Sequence, residues 1–463
     1  MVHFVRGKMA IKTGVYHPRN PESSSLWLLF NNHFESFVQC YEERFERKYG
    51  YLRNVIRNVV EKYLRCGDLK EGFARVKCED CHHEFLLAFS CQGRWLCPSC
   101  QAKKVIMFGD HLENNVLYPV PHRQYVFSLP ILLRGYFKYD RKLLSKLCRC
   151  AYDSLLLFLR TQINLENGIP GVAMVIHTFG NNPTKFHPHA HLIATDGLFA
   201  DTGTFYVMRD VDLKPLEEIF RAQILKMLKK EGKIDQSMIS KLLKWKHSGF
   251  GIDNGIRIEK NNAKGREAIA QYIARNTINQ EKIRYQLDTG RVIYHYKMSK
   301  GKNKKNFGVY DAEAFIAALT QHIPDRSFQM LRYYGFYSNK SRGLREKERK
   351  RMKKESISDD TGAIELIDIS KHCPKKIPSL TWRNCIKKIY EIDPLECPRC
   401  GGEMRIISFI HQFSVIRKIL EHLELWGEDH SRGPPQNDEF IYEPIDDGWF
   451  REIVDETTTI IGF

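Results

Sequence analysis

The sequence predicts an α+β protein of several domains. We expect an N-terminal helical and zinc-binding part, a larger domain with a central antiparallel sheet and flanking helices, and a small C-terminal domain. The 463 residues are 43% hydrophobic, which is enough for two or three cores. Apolar residues recur at helical spacing near the N-terminus. Paired cysteines follow, and from about residue 120 segments of strand and helix character alternate.

The first two segments are defined by their apolar and cysteine patterns. Residues 1–65 are assigned to the helical region, because apolar residues repeat every three or four positions in it. Residues 66–110 contain two Cys-x2-Cys pairs separated by fifteen residues, a spacing typical of a four-thiolate zinc site. We therefore predict that Cys78, Cys81, Cys97 and Cys100 bind one structural zinc ion. Cys66 and Cys91 lie close enough to replace one of these ligands, and buried thiols without metal are the alternative.

The larger domain is assigned to residues 111–338. It begins with strand patterns at 124–129 and 172–179, and a long amphipathic helix is predicted between them at 140–163. A turn at 180–183 follows. If the strands on either side of this turn form a hairpin, His177 lies opposite His189 on one face of the sheet.

Histidines alternate along the strand after this turn, at His187, His189 and His191. Alternate side chains share one face of a strand, so His189 and His191 can point at one ion. Three alternating histidines are much rarer by chance than two. We predict a metal site with His177 as the first candidate for a third ligand, although a strand-end role without metal is the alternative. Pro188 is expected to turn His187 away.

The charge of the chain indicates a phosphate-rich partner. There are 72 Lys and Arg against 55 Asp and Glu, a net charge of +17, and 12% of residues are aromatic. The sequence shows neither an apolar run long enough to span a bilayer nor a cleavable signal, so we expect a cytoplasmic protein without a membrane partner. In the cytosol its 13 cysteines are expected to be metal ligands or buried thiols. The candidate phosphate contacts, with solvated surface as the alternative, are Arg94, Lys103, Lys104, Lys302, Lys304 and Lys305.

The C-terminal third is more polar. Residues 339–365 are rich in basic side chains and are assigned to a flexible linker. Residues 366–463 form the accessory domain, in which Cys397-x2-Cys400 has the form of half a zinc ribbon. We predict a second zinc site there, with its other ligands left open and with His372, Cys373, Cys385 and His411 as possible partners.

The order of motifs along nearly the whole chain resembles the rolling-circle transposases of the insertion-sequence ninety-one type and their common-region relatives. The blocks that carry the resemblance include Cys78-x2-Cys81, Cys97-Pro98-Ser99-Cys100, His177-Thr178-Phe179-Gly180, His187-Pro188-His189-Ala190-His191, Tyr272-Ile273-Ala274-Arg275, Tyr333-Tyr334-Gly335 and Asp393-Pro394-Leu395-Glu396-Cys397-Pro398-Arg399-Cys400-Gly401-Gly402. This family belongs to the HUH endonucleases, whose name describes the pattern of His189, Ala190 and His191.

The resemblance implies a transposase that nicks and rejoins single-stranded DNA, or hairpin ends, of its own element. In such enzymes the histidines hold a catalytic magnesium or manganese ion, and a helix tyrosine attacks the scissile phosphate to leave a 5′-phosphotyrosine. Tyr272 occupies that position, although from its own segment alone it reads as a core aromatic. Some members carry a second tyrosine where this chain has Asn276, so it resembles the single-tyrosine branch. Asn276 then ranks behind His177 as a candidate ligand.

Two other functions remain open at the level of sequence. A replication initiator or relaxase would use the same nicking chemistry. A zinc-dependent DNA-binding regulator would use the histidines and cysteines only for structure. Exchangeable magnesium or manganese, in addition to zinc, would distinguish a nuclease from a regulator.

Overall fold

The computed structural model describes residues 16, 20–93, 95–208, 212–245, 248–276, 278–298, 306–351, 366–369, 380–390 and 392–427. Its helices are α1 (Ser25–Gln39), α2 (Tyr41–Arg44), α3 (Glu46–Tyr49), α4 (Asn54–Leu64), α5 (Pro98–His111), α6 (Ile131–Tyr139), α7 (Lys142–Ile163), α8 (Lys214–Lys230), α9 (Gln236–Leu243), α10 (Ala263–Ile273), α11 (Ala312–Thr320), α12 (Asn339–Arg351), α13 (Trp382–Tyr390) and α14 (Phe413–His422). Its strands are β1 (Phe73–Cys78), β2 (Glu84–Ala88), β3 (His122–Ser128), β4 (Gly171–Phe179), β5 (Phe186–Thr195), β6 (Gly197–Phe199), β7 (Thr204–Val207), β8 (Gly251–Asp253), β9 (Arg257–Ile258), β10 (Ile283–Gln286), β11 (Arg291–His295), β12 (Phe307–Asp311), β13 (Leu331–Gly335), β14 (Leu366–Asp368) and β15 (Met404–Ile410). Helices combined with antiparallel sheets confirm the predicted α+β class.

The central sheet has the order β13-β4-β5-β3-β8, with β9 also pairing with β3, and each of these pairs is antiparallel. Strand β4 is buried along its whole length, and β5 is buried from His189 onward. Strands covered on both faces read as nearly continuous apolar runs, as β4 does, whereas β5 carries its histidines before the apolar run 192–194. Helix α7 packs against β4 and β5, and α10 packs against β5. The predicted hairpin is confirmed, since His177 pairs directly with His189.

The N-terminal helices pack against a later part of the chain. Helix α1 begins at Ser24, whose side chain accepts a hydrogen bond from the Trp27 amide. Its apolar face and that of α4 form a second core with α11 and with the small sheet β10-β11-β12. Residues on both sides of the predicted boundary at residue 65 therefore belong to one core, which also includes residues from the range 278–323.

Strands from the C-terminal part join sheets that begin earlier in the chain. Strand β15 pairs with β1 to complete the sheet β15-β1-β2, and β14 pairs with β7 beside β6. The described residues after 365 therefore pack on the regions predicted as zinc-binding and central domains. The prediction of a flexible linker at 339–365 is wrong for its first half, because residues 339–351 form α12. Arg345 anchors this helix by stacking on the Phe336 ring and donating a hydrogen bond to the Phe336 carbonyl. Residues 352–365 lie outside the described residues.

A search of the described helices for a membrane span finds none that is both long enough and apolar enough to cross a bilayer.

Candidate active site and metal centres

Three buried histidines meet on one face of the central sheet. His189 and His191 are two residues apart on β5 and therefore share a face, and His177 lies opposite His189 on β4. Their side chains are between 0% and 6% exposed. One ring nitrogen from each lies within 4.8 Å of the others, a geometry that can hold a metal ion.

The ring nitrogens of His189 and His191 converge. The Nδ1 of His189 lies 2.8 Å from the His187 carbonyl and donates a hydrogen bond to it, which leaves Nε2 with a lone pair. This Nε2 lies 3.0 Å from the Nε2 of His191, and the Gln124 side-chain amide lies 3.4 Å from the opposite nitrogen of His191. Two ligands at right angles on an ion with bonds of about 2.1 Å are about 3.0 Å apart. The pair is therefore spaced as two ligands of one ion.

His177 adds a third nitrogen to this pair. Its Nε2 lies 2.7 Å from the Ile273 carbonyl and donates a hydrogen bond to it. Its Nδ1 is buried and has no hydrogen-bond partner among the described residues. A buried nitrogen with a free lone pair is the donor that a metal ion requires. The structure groups His177 with His189 and His191, whereas His187 lies outside this group.

Burial keeps these histidines uncharged. Burial lowers the pKa of His189 to about 3, and it lowers the pKa of His177 and of His191 well below the usual range. The charges of neighbouring groups, including Arg275, lower all three further. An uncharged imidazole has the lone pair that binds a metal, so all three are in their ligand form at neutral pH.

Tyr272 lies beside this group near the end of α10. Its side chain is 40% exposed, and its ring centre is 6.1 Å from the ring centre of His191. The next residue, Ile273, provides the carbonyl that His177 binds. The end of α10 is thus fastened to the histidine sheet, with Tyr272 accessible from solvent.

Two side chains just past the end of α10 have buried polar atoms. The Arg275 guanidinium lies 4.7 Å from the centre of the Tyr272 ring, and its Nε is buried without a hydrogen-bond partner among the described residues. Both amide atoms of Asn276 are buried and likewise have no partner there. No role was predicted for Arg275, although its place three residues after Tyr272, in the block Tyr272-Ile273-Ala274-Arg275, is the signal that could have identified it.

A buried ion pair holds the start of α10. Arg266 donates two hydrogen bonds to the Glu113 carboxylate, at 2.8 and 2.7 Å, and a third to the Lys260 carbonyl. Glu113 belongs to a π-helical turn that extends α5. At Gly109 on α5 a Cβ would lie 2.7 Å from Gln271 of α10, so the two helices are in close contact. This support was not predicted from the sequence, because it joins residues more than 150 positions apart.

The cysteines form two clusters, and the first corrects the predicted zinc site. Cys97 and Cys100 lie with Cys66 and Cys91, rather than with Cys78 and Cys81. The sulfur of Cys66 is 3.8 Å from that of Cys97, and the sulfur of Cys91 is 3.7 Å from that of Cys100. Four sulfurs at about 2.3 Å from a tetrahedral zinc ion are about 3.8 Å apart. Residues 66–91 fold back as the β1–β2 hairpin, and this brings Cys66 and Cys91, at its two ends, together.

The second cluster combines two cysteines from the N-terminal region with two from the C-terminal region. Cys78 and Cys81, at the tip of the β1–β2 hairpin, lie beside Cys397 and Cys400. The structure thereby brings two candidate ligands, Cys78 and Cys81, to the predicted second site at Cys397 and Cys400. Of the four partners considered from the sequence, His411 and Cys385 are not members of this cluster, and His372 and Cys373 lie outside the described residues.

Two of the six predicted phosphate contacts, Lys103 and Lys104, lie within the described part of the chain. Lys104 is 7% exposed and donates a hydrogen bond to the Gln92 carbonyl, so it supports the first cysteine cluster and does not face solvent. Lys103 is partly buried on the same helix. Arg94, Lys302, Lys304 and Lys305 lie outside the described residues.

Comparisons with known proteins give consistent matches. A family model described as "Putative transposase" matches residues 171–344, and one described as "Transposase zinc-binding domain" matches residues 33–129. The "Transposase for insertion sequence element IS801" of Pseudomonas savastanoi pv. phaseolicola is 25% identical over 398 residues, which cover 81% of this chain and 89% of that protein. The "Putative transposase y4qJ" of Sinorhizobium fredii (strain NBRC 101917 / NGR234) is 23% identical over 321 residues, covering 65% and 79%. No solved structure gives a significant match.

Proposed function

This chain belongs to the family of IS91-type transposases, and we propose that it nicks and rejoins single-stranded DNA at the ends of its own element through a covalent bond to Tyr272. The observation that supports the proposal is the position of Tyr272. Its ring, reachable from solvent, lies beside three uncharged histidines that can share one ion. A nucleophile next to an electrophilic centre is the arrangement that phosphodiester transfer requires.

The proposed step exchanges one phosphate ester for another. The Tyr272 oxygen attacks the scissile phosphorus, the bond from phosphorus to the 3′-oxygen breaks, and that oxygen leaves with a proton as a free 3′-hydroxyl. The phenol loses its own proton to solvent, which reaches the exposed ring. Attack by a 3′-hydroxyl on the phosphotyrosine reverses the step and rejoins DNA without an external energy source. Magnesium or manganese held by His177, His189 and His191 would polarise the phosphate.

Arg275 and Asn276 are proposed to complete the phosphate site. The Arg275 guanidinium beside the Tyr272 ring stabilises negative charge on the phenolate and on the phosphate as the new bond forms. Asn276 lies four residues after Tyr272, beyond the end of α10, and its buried amide, which has no partner among the described residues, would contact the metal or a phosphate oxygen.

The direct test uses single-stranded DNA from the flanks of the element, labelled at its 3′ end, with manganese. The proposal expects a protein-linked label on a denaturing gel for the wild type and none for Tyr272→Phe. Tyr285→Phe is the matched control and should retain the adduct, because Tyr285 lies on the distant sheet β10-β11-β12, hydrogen bonded to His33.

Two outcomes contradict the proposal. An adduct that persists in Tyr272→Phe would assign the nucleophile to another tyrosine. Wild-type protein that binds this DNA and contains zinc, yet forms no adduct with manganese or magnesium, would favour a DNA-binding regulator without catalysis.

A further inference from the structure

We propose that Cys78, Cys81, Cys397 and Cys400 bind a single zinc ion that fastens the C-terminal part of the chain to the zinc-binding region near its start. The matching zinc-binding family model ends at residue 129, so it does not include the C-terminal pair. The ion would join residues more than 300 positions apart.

The sulfur atoms have the spacing of one tetrahedral ion. The sulfur of Cys78 lies 3.5 Å from that of Cys400, and the sulfur of Cys81 lies 3.5 Å from that of Cys397. All four lie within 4.8 Å of one another. Four thiolates around a zinc ion are about 3.8 Å apart, whereas an iron–sulfur cluster would need them more widely separated.

Both cysteine pairs lie on tight turns of the kind that present two thiolates to one metal. The amide of Cys78 donates to the His83 carbonyl and closes the first turn, and the amide of Cys397 donates to the Gly402 carbonyl and closes the second. The amide of Gly402 also lies 3.4 Å from the Cys400 sulfur, a hydrogen bond that stabilises a thiolate. Gly401 has a φ of 76°, a left-handed conformation that glycine adopts without strain.

The two turns are in close contact with each other. A Cβ at Gly402 would lie 2.0 Å from a carboxylate oxygen of Asp80, one of the two residues between Cys78 and Cys81 in the first turn. The absence of a side chain at Gly402 therefore allows the close approach of the first turn.

Strand pairing brings the two turns together. Strand β15 runs antiparallel to β1 from Phe73, which pairs with Ile410, to Cys78, which pairs with Met404. This sheet packs on two small buried clusters, one of Ala74, Val76, Cys78, Leu87, Cys397 and Met404 and the other of Phe73, Ile416 and Leu420. Because both clusters are small, we expect metal binding to add to the stability of the pairing.

The site also places a helix against the proposed catalytic helix. Helix α13 precedes Cys397 and packs on α5. Its Lys388 lies 3.3 Å from a carboxylate oxygen of Asp110 on α5 and 3.0 Å from one of Glu267 on α10. The ion would therefore hold in place a segment that contacts the helix of Tyr272. Any effect on nicking rests on the proposed function, whereas zinc content does not.

The test is the zinc content of the full-length protein and three multiple variants, measured by elemental analysis. The variants replace Cys78 and Cys81, Cys397 and Cys400, or all four, each with serine. Each pair variant should lose one zinc ion per chain relative to the wild type. The quadruple variant should also lose only one, because both pairs share the same ion. Cys40→Ser is the control, since Cys40 lies outside both clusters, and it should lose none.

Two further measurements keep the test interpretable. Circular dichroism and the zinc ion retained at Cys66, Cys91, Cys97 and Cys100 report whether a variant has folded. In each pair variant that folds, amide hydrogen exchange should be faster than in the wild type in both β1 and β15. A variant set that fails to fold is replaced by Cys81→Ala and Cys400→Ala, at the two exposed ligands, which should each raise exchange in both strands.

The proposal would be overturned by losses that add, two ions in the quadruple variant against one in each pair, because the pairs would then bind separate ions. It would also be overturned by unchanged zinc content after loss of Cys397 and Cys400, or by iron in place of zinc.

Discussion

Burial sets the chemical state of the histidines in this protein. His189, for example, would carry a charge in water below about pH 6.5, but burial lowers its pKa to about 3. The strand that places His189 beside His191 therefore also keeps both uncharged, the form of histidine that can bind a metal. A solvent-exposed pair with the same spacing would be partly protonated near pH 6.5 and would bind metal less well.

A histidine away from the metal site should make stability depend on pH. His122 is fully buried against Tyr337, and burial lowers its pKa to about 3. The unfolded chain takes up this proton near pH 6.5 while the folded protein does not, so stability is lost as pH falls from about 6.5 towards 3 and is constant above it. The slope is at most about 1.4 kcal/mol per pH unit.

Urea unfolding of the wild type and His122→Asn at several pH values checks this prediction. The difference in unfolding free energy between the two should be constant above pH 7 and should change as the pH falls below 6.5. Parallel curves across the whole range would show that His122 is not the responsible group.

Arg275 should be needed for the rate of nicking. Removal of a preorganised charge that stabilises a transition state typically costs 10²- to 10³-fold in rate, so Arg275→Ala should slow adduct formation by about 10²-fold. Arg275→Lys should be intermediate, because it keeps the charge and loses the planar guanidinium. Single-turnover kinetics at saturating DNA measures this rate. Equal loss in both variants, accompanied by loss of metal binding, would point to a structural role for Arg275.

Among the elements, the contact between α5 and α10 connects the first cysteine cluster to Tyr272. Cys97 precedes α5 and Cys100 lies in its first turn, while the far end of α5 approaches α10 at Gly109. The pair of Arg266 and Glu113 fixes the same two segments through a second contact. The helix that carries Tyr272, the proposed nucleophile, therefore packs on a helix that begins at a cysteine cluster able to hold a metal ion.

Substitution of Gly109 tests this packing. Gly109→Ala would place a methyl group 2.7 Å from the Cγ of Gln271 and 3.3 Å from the Glu267 carbonyl oxygen, and should destabilise the protein by roughly 1–3 kcal/mol. The control is Gly135→Ala in α6, where nothing lies within 4 Å of the added group and the helix should gain roughly 0.5–1 kcal/mol. Thermal unfolding of both variants gives the comparison. Equal effects of the two substitutions would contradict the close contact.

Local sequence patterns predicted most helices and strands. The grouping of the cysteines and the helix after residue 338 depend on contacts between distant or packed residues, which the sequence pattern does not show. The histidine hairpin was predicted because a short turn fixes the register of its two strands, and His177 was found opposite His189. The cysteine grouping was wrong, because the spacing of Cys78 to Cys100 does not reveal that β15 pairs with β1 from the other end of the chain. The predicted linker was partly wrong, because contacts of Arg345 with Phe336 stabilise a helix whose composition is typical of a solvated segment.

For the whole molecule, stability should be divided between a large core and regions that depend on metal. The core around the central sheet is large and includes apolar residues of β3, β4 and β5, whereas the sheet β15-β1-β2 packs on two small buried clusters. Removal of zinc with a strong chelator should therefore expose the amides of β1, β2 and β15 to exchange, while those of β4 and β5 stay protected. Hydrogen exchange read by mass spectrometry checks this. Equal protection of β1 and β15 with and without chelator would contradict a metal-dependent sheet.

The central claim is that Tyr272 becomes covalently linked to DNA, and peptide mapping of the adduct tests it most directly. After nuclease digestion, trypsin should release residues 267–275, between Arg266 and Arg275, with the mass of a nucleotide added at Tyr272. We predict that this peptide carries the modification in the wild type. In the variant His189→Ala, treated in the same way, the peptide should be unmodified. A nucleotide found on another tyrosine, such as Tyr285, Tyr294 or Tyr296, with the 267–275 peptide unmodified, would contradict the proposed mechanism.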